Sequence, residues 1–143
     1  MDCPVCKEAL VVMELSDVEV DHCLGCRGIW LDAGELEVLL EPDDMPGPQE
    51  AESARRRRDE FLGAFKIDNG VKERRRKCPI CRRKMDKAAG GRNGDIVTDR
   101  CVRGHGLWFD DGELRALVES ANSDANADSY GRMVKLLRDM FKN

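Results

Sequence analysis

The sequence predicts a small α+β fold made of two similar halves, each tied at its base by a bound metal ion, with a helical connection between them and an amphipathic helix at the end. Three observations predict it. Seven cysteines and one histidine fall into two groups: Cys3, Cys6, Cys23 and Cys26 read C-x2-C-x16-C-x2-C, and Cys78, Cys81, Cys101 and His105 read C-x2-C-x19-C-x3-H. Downstream of each group, WLDAGELEVLLE and WFDDGELRALVE agree at seven of twelve positions, so the groups belong to an internal repeat. Within each repeat, β-branched runs between the cysteine pairs precede leucines at helical spacing, which gives strands and then a helix.

The spacing points to zinc. Ligands two or three residues apart wrap one side of a small cation, and the longer excursion allows a hairpin that returns the second pair to complete a tetrahedron. Seven thiols cannot all pair as disulfides, and no apolar export segment follows Met1, so a reducing, cytoplasmic setting is expected. Iron in a four-thiolate cage competes at the first site, whereas the histidine argues for zinc at the second. Two Zn2+ ions are expected, one per repeat. A thiolate gripped by zinc with three other protein ligands is not a free nucleophile, so no catalytic residue is assigned and the protein is expected not to be an enzyme.

Residues 1–41 form the first unit. Val11, Val12 and Met13, with Val18 and Val20, flank Ser16 and Asp17 as the arms of a hairpin; Asp32 and Glu35 stand at capping-box spacing, and Leu36, Leu39 and Leu40 give the helix its apolar stripe. Residues 42–77 begin with PDDMPGP, a break, and continue as a charged helix from about Gln49 to about Ile67 with Ala51, Ala54, Arg58, Phe61 and Phe65 on one side, ending near Asn69 and Gly70. Residues 78–119 form the second unit, with Gly90, Gly91, Asn93 and Gly94 in a looser tip before Ile96 and Val97, Asp110 and Glu113 as the cap, and Leu114, Leu117 and Val118 as the stripe. Residues 120–143 comprise a polar spacer and a helix carrying Tyr130, Met133, Val134, Leu137 and Phe141. Each repeat helix is expected to fold back on its own ribbon.

In the repeat register Asp21 lies over Asp99 and Trp30 over Trp108, but Cys26 faces Gly104, and the ligand His105 comes one residue later. An imidazole is longer than a thiomethyl group, which accounts for the shift. His22 reads as a surface residue. Glu35 and Glu113 read as caps rather than catalytic carboxylates, and the tryptophans as core rather than base-stacking platforms.

With these residues in place, the chain resembles the transcription-factor-IIB-type zinc finger family, through CPxC, a hairpin, DxC and then xGIWLDAGEL. The resemblance covers residues 3–41 and, with Gly104 and His105 departing from the pattern, residues 78–119, which would make two copies in tandem. It implies a zinc-bound ribbon with a helix after the GEL segment and says less about activity.

Charge points to partners. Residues 1–50 hold two basic against thirteen acidic residues, a net of −11, and residues 72–103 hold twelve against four, a net of +8, both concealed in the overall −4. Arg74, Arg75, Arg76, Lys77, Arg82, Arg83, Lys84 and Lys87 bracket the CPIC segment, joined by Arg92, Arg100 and Arg103. This cluster suits a phosphate backbone, so the second unit is expected to bind nucleic acid in a transcription-associated role. The alternatives are a protein-interaction adaptor with one acidic and one basic unit and, more weakly, a zinc-thiolate redox sensor. A protein partner would meet the acidic first unit or the terminal helix, where a second copy would also dock, and no segment suits a membrane.

Overall fold

A computed structural model of the chain describes residues 1–15, 18–39, 51–68, 70, 72, 74–90 and 96–123. The first repeat supplies β1 (Val11–Leu15), β2 (Val18–His22), β3 (Ile29–Asp32) and α1 (Ala33–Leu39). Between the repeats come α2 (Ala51–Gly63) and β4 (Lys66–Ile67). The second repeat supplies β5 (Asp86–Gly90), β6 (Ile96–Arg100), β7 (Gly106–Phe109) and α3 (Asp111–Ser123).

How the two ribbons sit relative to one another is not given by the sequence; in the structure their strands make one antiparallel sheet in the order β1-β2-β3-β7-β6-β5-β4. The seam is β3 against β7, with Ile29 opposite Phe109, Trp30 opposite Trp108, Leu31 opposite Leu107 and Asp32 opposite Gly106. Each third strand alone would present an edge of unpaired amides and carbonyls beside fully buried apolar side chains, and pairing the two removes both edges at once. The sequence reading assigns Trp30 and Trp108 to the core but gives their segments no strand, so the seam is a finding of the structure.

Side-chain alternation along the seam separates two cores. Ile29, Leu31, Leu107 and Phe109 join Val20, Leu36, Leu39, Leu114 and Leu117 in the larger one, so helix stripes from both repeats share a single apolar layer. Trp30 and Trp108 lie among Cys3, Cys23, Cys78, Cys101 and Met85 in the other. α1 lies against β2 and β3, and α3 against β6 and β7.

The stretch expected as a connecting helix to Ile67 also differs. α2 stops at Gly63, and its last turn tightens through bonds from Ala64 N–H to Phe61 C=O (3.2 Å) and from Phe65 N–H to Leu62 C=O (3.2 Å). The chain then pairs as β4 with Ala88 and Ala89 of β5. Phe61, Leu62 and Phe65 enter the larger core, where the Phe65 ring meets Phe109 edge-on at 5.8 Å. Gly90 has to be glycine here, since a Cβ would lie 2.4 Å from the Phe65 ring. Arg58 reaches Glu37 in an ion pair that joins α2 to α1. α3 runs to Ser123, into the stretch expected as a polar spacer. The expected break at 42–48, the hairpin tip at 91–95 and the terminal helix around 130–141 lie outside the described residues. No described helix is long and apolar enough to cross a membrane.

Candidate metal centres

Each ligand pair sits on a tight loop with a repeated backbone pattern. The N–H groups of Cys3, Cys23, Cys78 and Cys101 donate to the carbonyls of Glu8, Gly28, Arg83 and Gly106, five residues on, at 2.7–3.1 Å. Inside three of these loops a second bond closes four residues on, from Lys7 to Cys3 (3.1 Å), Arg27 to Cys23 (2.9 Å) and Arg82 to Cys78 (2.8 Å). Lys7, Arg27 and Arg82 accordingly hold left-handed φ values of 68°, 65° and 61°. The first cysteine of every pair is buried and accepts an N–H bond at its Sγ, from Val5 (3.3 Å), Cys26 (3.5 Å), Ile80 (3.4 Å) and Arg103 (3.4 Å) respectively. Such donors favour thiolate over thiol.

The fourth loop is built differently, which explains its ligand. Gly104 N–H closes onto Cys101 C=O at 3.0 Å, one residue earlier than elsewhere, and Gly104 takes the left-handed position at φ 77°. The next residue, His105, then turns Nδ1 toward the cluster, 3.4 Å from Cys101 Sγ and 3.8 Å from Cys78 Sγ. The shifted spacing therefore reflects a shortened backbone turn as well as a longer side chain.

The eight expected ligands converge in two groups of four, each with its donor atoms within 4.8 Å of one another. The Sγ atoms of Cys3 and Cys26 are 3.6 Å apart, those of Cys6 and Cys23 3.3 Å, and those of Cys81 and Cys101 3.7 Å. A tetrahedron with zinc–sulfur bonds of about 2.3 Å has edges of about 3.8 Å. A disulfide requires about 2.05 Å, so both groups fit zinc and neither is a set of disulfides. Thiols so close do not ionise alike without a cation. Burial pushes Cys26 up to about 12 and Cys78 up to about 11, while the Arg83 N–H draws Cys81 down to about 6. A zinc ion held by these side chains would supply the charge that lets all of the cysteines serve as thiolates.

Residues 2–42 match the transcription factor zinc-finger family. The matched stretch contains the whole four-cysteine group, and zinc binding follows from that match together with the geometry. The second group, Cys78 to His105, has the same local architecture but carries no family match of its own. No curated protein and no solved structure matches the chain.

The basic residues expected to meet nucleic acid do not all face outward. Lys87, expected to contact nucleic acid, is instead 6% exposed, and its Nζ pairs with Asp99 Oδ1 at 2.7 Å, so a phosphate cannot reach it. Arg100 points its guanidinium at the carbonyls of Leu62 (3.5 Å) and Phe65 (3.4 Å), where it closes the end of α2. Arg75 is half committed, donating to Met85 C=O (3.0 Å) and pairing with Asp86 (2.9 Å). Arg74, Lys77, Arg82, Arg83, Lys84 and Arg103 are exposed and Arg76 is partly buried, whereas Arg92 lies outside the described residues. Arg74, Arg75, Arg76, Lys77 and Lys84 line a cleft of about 420 Å³ together with Pro4, Val5 and Lys7 of the first repeat. Lys7 was missed in the sequence because it is one of only two basic residues in an acidic half; in the structure it lines this cleft.

Trp30 and Trp108 are 0% and 1% exposed, so neither offers a face to a base, and the expectation that they form core holds. Asp32 and Glu35 make the expected reciprocal cap, Glu35 N–H donating to Asp32 Oδ1 (2.8 Å) and Asp32 N–H to Glu35 Oε2 (2.9 Å); Asp110 and Glu113 do the same at 3.0 and 2.9 Å. His22 is not a surface residue as expected: it is half-buried, and burial lowers its pKa. A third group, Asp21, Asp32 and Glu35, also gathers within 4.8 Å. Burial there pushes Glu35 up to about 8, and it raises Asp21 as well.

Proposed function

We propose that the protein is a zinc-dependent, non-enzymatic nucleic-acid-binding module of the reducing cytoplasm, working through the basic cleft between its two repeats. The observation that carries this reading is the convergence of Lys7 with Arg74, Arg76, Lys77 and Lys84 around one opening. A cleft lined by cations from both repeats favours a phosphate backbone by releasing its counterions. Arg82 lines a neighbouring hollow of about 300 Å³ with Lys7, Lys77, Pro4 and Pro79, which extends the same basic surface. The description of the family matched by residues 2–42, transcription factor zinc-finger, agrees with this reading. Two zinc ribbons, each a hairpin with a third strand and a helix, then act as rigid mounts for the cleft. The acidic remainder of the first repeat repels phosphate, which confines contact to the cleft side.

Fluorescence anisotropy with a generic DNA duplex and a single-stranded RNA tests the proposal. The triple variant Lys7→Glu, Lys77→Glu, Lys84→Glu should keep both zinc ions, bind about tenfold or more weakly, and show a shallower dependence of affinity on salt. Unchanged affinity and salt slope in a variant that retains its zinc would rule the cleft out as the contact surface.

A further inference from the structure

We propose that Asp21, Asp32 and Glu35 form a third cation site, specific for a hard divalent ion of the magnesium, calcium or manganese class. One carboxylate oxygen from each lies within 4.8 Å of the others. Ligands at about 2.1–2.4 Å from a single ion are at most about 4.8 Å apart, so the three oxygens fit around one ion of this class. Asp32 and Glu35 each give one oxygen to the helix cap and keep the other, Oδ2 and Oε1, for a ligand.

Proximity of acidic groups alone does not make a site, and two further observations point to a cation. Asp21 is 8% exposed, and its carboxylate has no hydrogen bond or ion pair among the described residues. A buried carboxylate without a partner is costly, and Asp21 is aimed into the cluster.

The second observation is that the other repeat fills the corresponding place. Asp99 is the repeat equivalent of Asp21, each opposite its tryptophan across the neighbouring strand. Across β5 and β6, Lys87 stands opposite Asp99 and delivers an ammonium to it at 2.7 Å, both side chains being nearly inaccessible. Across β1 and β2 the residue opposite Asp21 is Val12, which is 63% exposed and has no charge to give. One repeat carries the cation for its buried aspartate on a side chain, and the other has no such side chain opposite but brings two further carboxylates, Asp32 and Glu35, to its aspartate. Oxygen-only donors around a small space suit magnesium, calcium or manganese, and they separate this site from the sulfur-lined zinc sites. An ammonium from a partner protein is the competing occupant, and the experiment distinguishes it.

The full chain loaded with two zinc ions is titrated with MnCl2, MgCl2 and CaCl2 by isothermal calorimetry, with Mn2+ also followed by electron paramagnetic resonance. One additional equivalent should bind, and Mn2+ should broaden the amide resonances around residues 21, 32 and 35. Asp21→Asn, which keeps the shape and removes the charge, should weaken binding about tenfold or more. Val12→Lys, which supplies the ammonium that Lys87 gives the other repeat, should abolish binding while zinc stoichiometry stays at two. The proposal is overturned if none of the three ions binds the wild type at about 10 mM, above the range of weak protein calcium sites, which would leave the cluster to an ammonium. Binding that Asp21→Asn and Val12→Lys leave unchanged overturns it equally.

Discussion

The two repeats agree in their supports and differ in their charges. Both have buried first cysteines, left-handed loop residues, a buried tryptophan at the sheet seam and a reciprocal carboxylate cap. They differ at the fourth ligand, at the residue opposite the buried aspartate and in the sign of the net charge. What recurs is what the backbone needs in order to turn, pair and start a helix. What diverges is the charge around the metal: the second repeat adds arginines and lysines beside its zinc site, and the first lacks them and, as proposed, takes up a dissolved ion.

The largest test of this comparison is metal removal. A structural zinc site contributes on the order of 10 kcal/mol to folding, and the halves share one sheet and one core, so chelation should unfold both in a single transition by circular dichroism. Cys23→Ser should likewise melt amides beyond its own repeat in NMR spectra. Melting confined to residues 1–39 would show instead that the seam does not couple the halves. The next effect in size contrasts Lys87 with Val12. Lys87→Ala leaves Asp99 buried without its ion pair and should cost about 3–5 kcal/mol in urea denaturation of the zinc-loaded protein, whereas Val12→Ala should stay within about 0.5 kcal/mol. Similar losses for both would remove the distinction between an internally satisfied and an externally satisfied aspartate. The smallest effect has opposite signs in the two repeats. Arg27→Gly relieves a left-handed arginine and should stabilise by about 0.5–1 kcal/mol, while Gly104→Ala imposes that strain and should destabilise by about 1 kcal/mol. Matching signs would mean that the two loops are not strained in the way their φ values indicate.

Local pattern carried the metal sites. Cys3 to Cys26 and Cys78 to His105 were legible because short sequence spacing fixes how a chain can wrap a cation, and the caps at Asp32–Glu35 and Asp110–Glu113 were legible because three-residue spacing is a helix-start geometry. The basic cluster was legible only as composition. Sequence cannot tell that Lys87 turns inward to Asp99, that Arg100 holds the end of α2, or that Lys7 joins the cleft from the acidic half, because each depends on a partner brought close by pairing across strands or between repeats.

By itself, then, the sequence determined the ligands, the hairpins, the helix starts and the repeat, all of them interactions between residues near in the chain or fixed to one ion. Only the tertiary structure decided that β3 and β7 join two units into one sheet, that Phe61 and Phe65 belong to their common core, and that Asp21 is left buried beside two other carboxylates. The physical reason is that edge pairing, core sharing and desolvation are set by which surfaces meet, and side-chain periodicity specifies that a face is apolar without specifying what covers it.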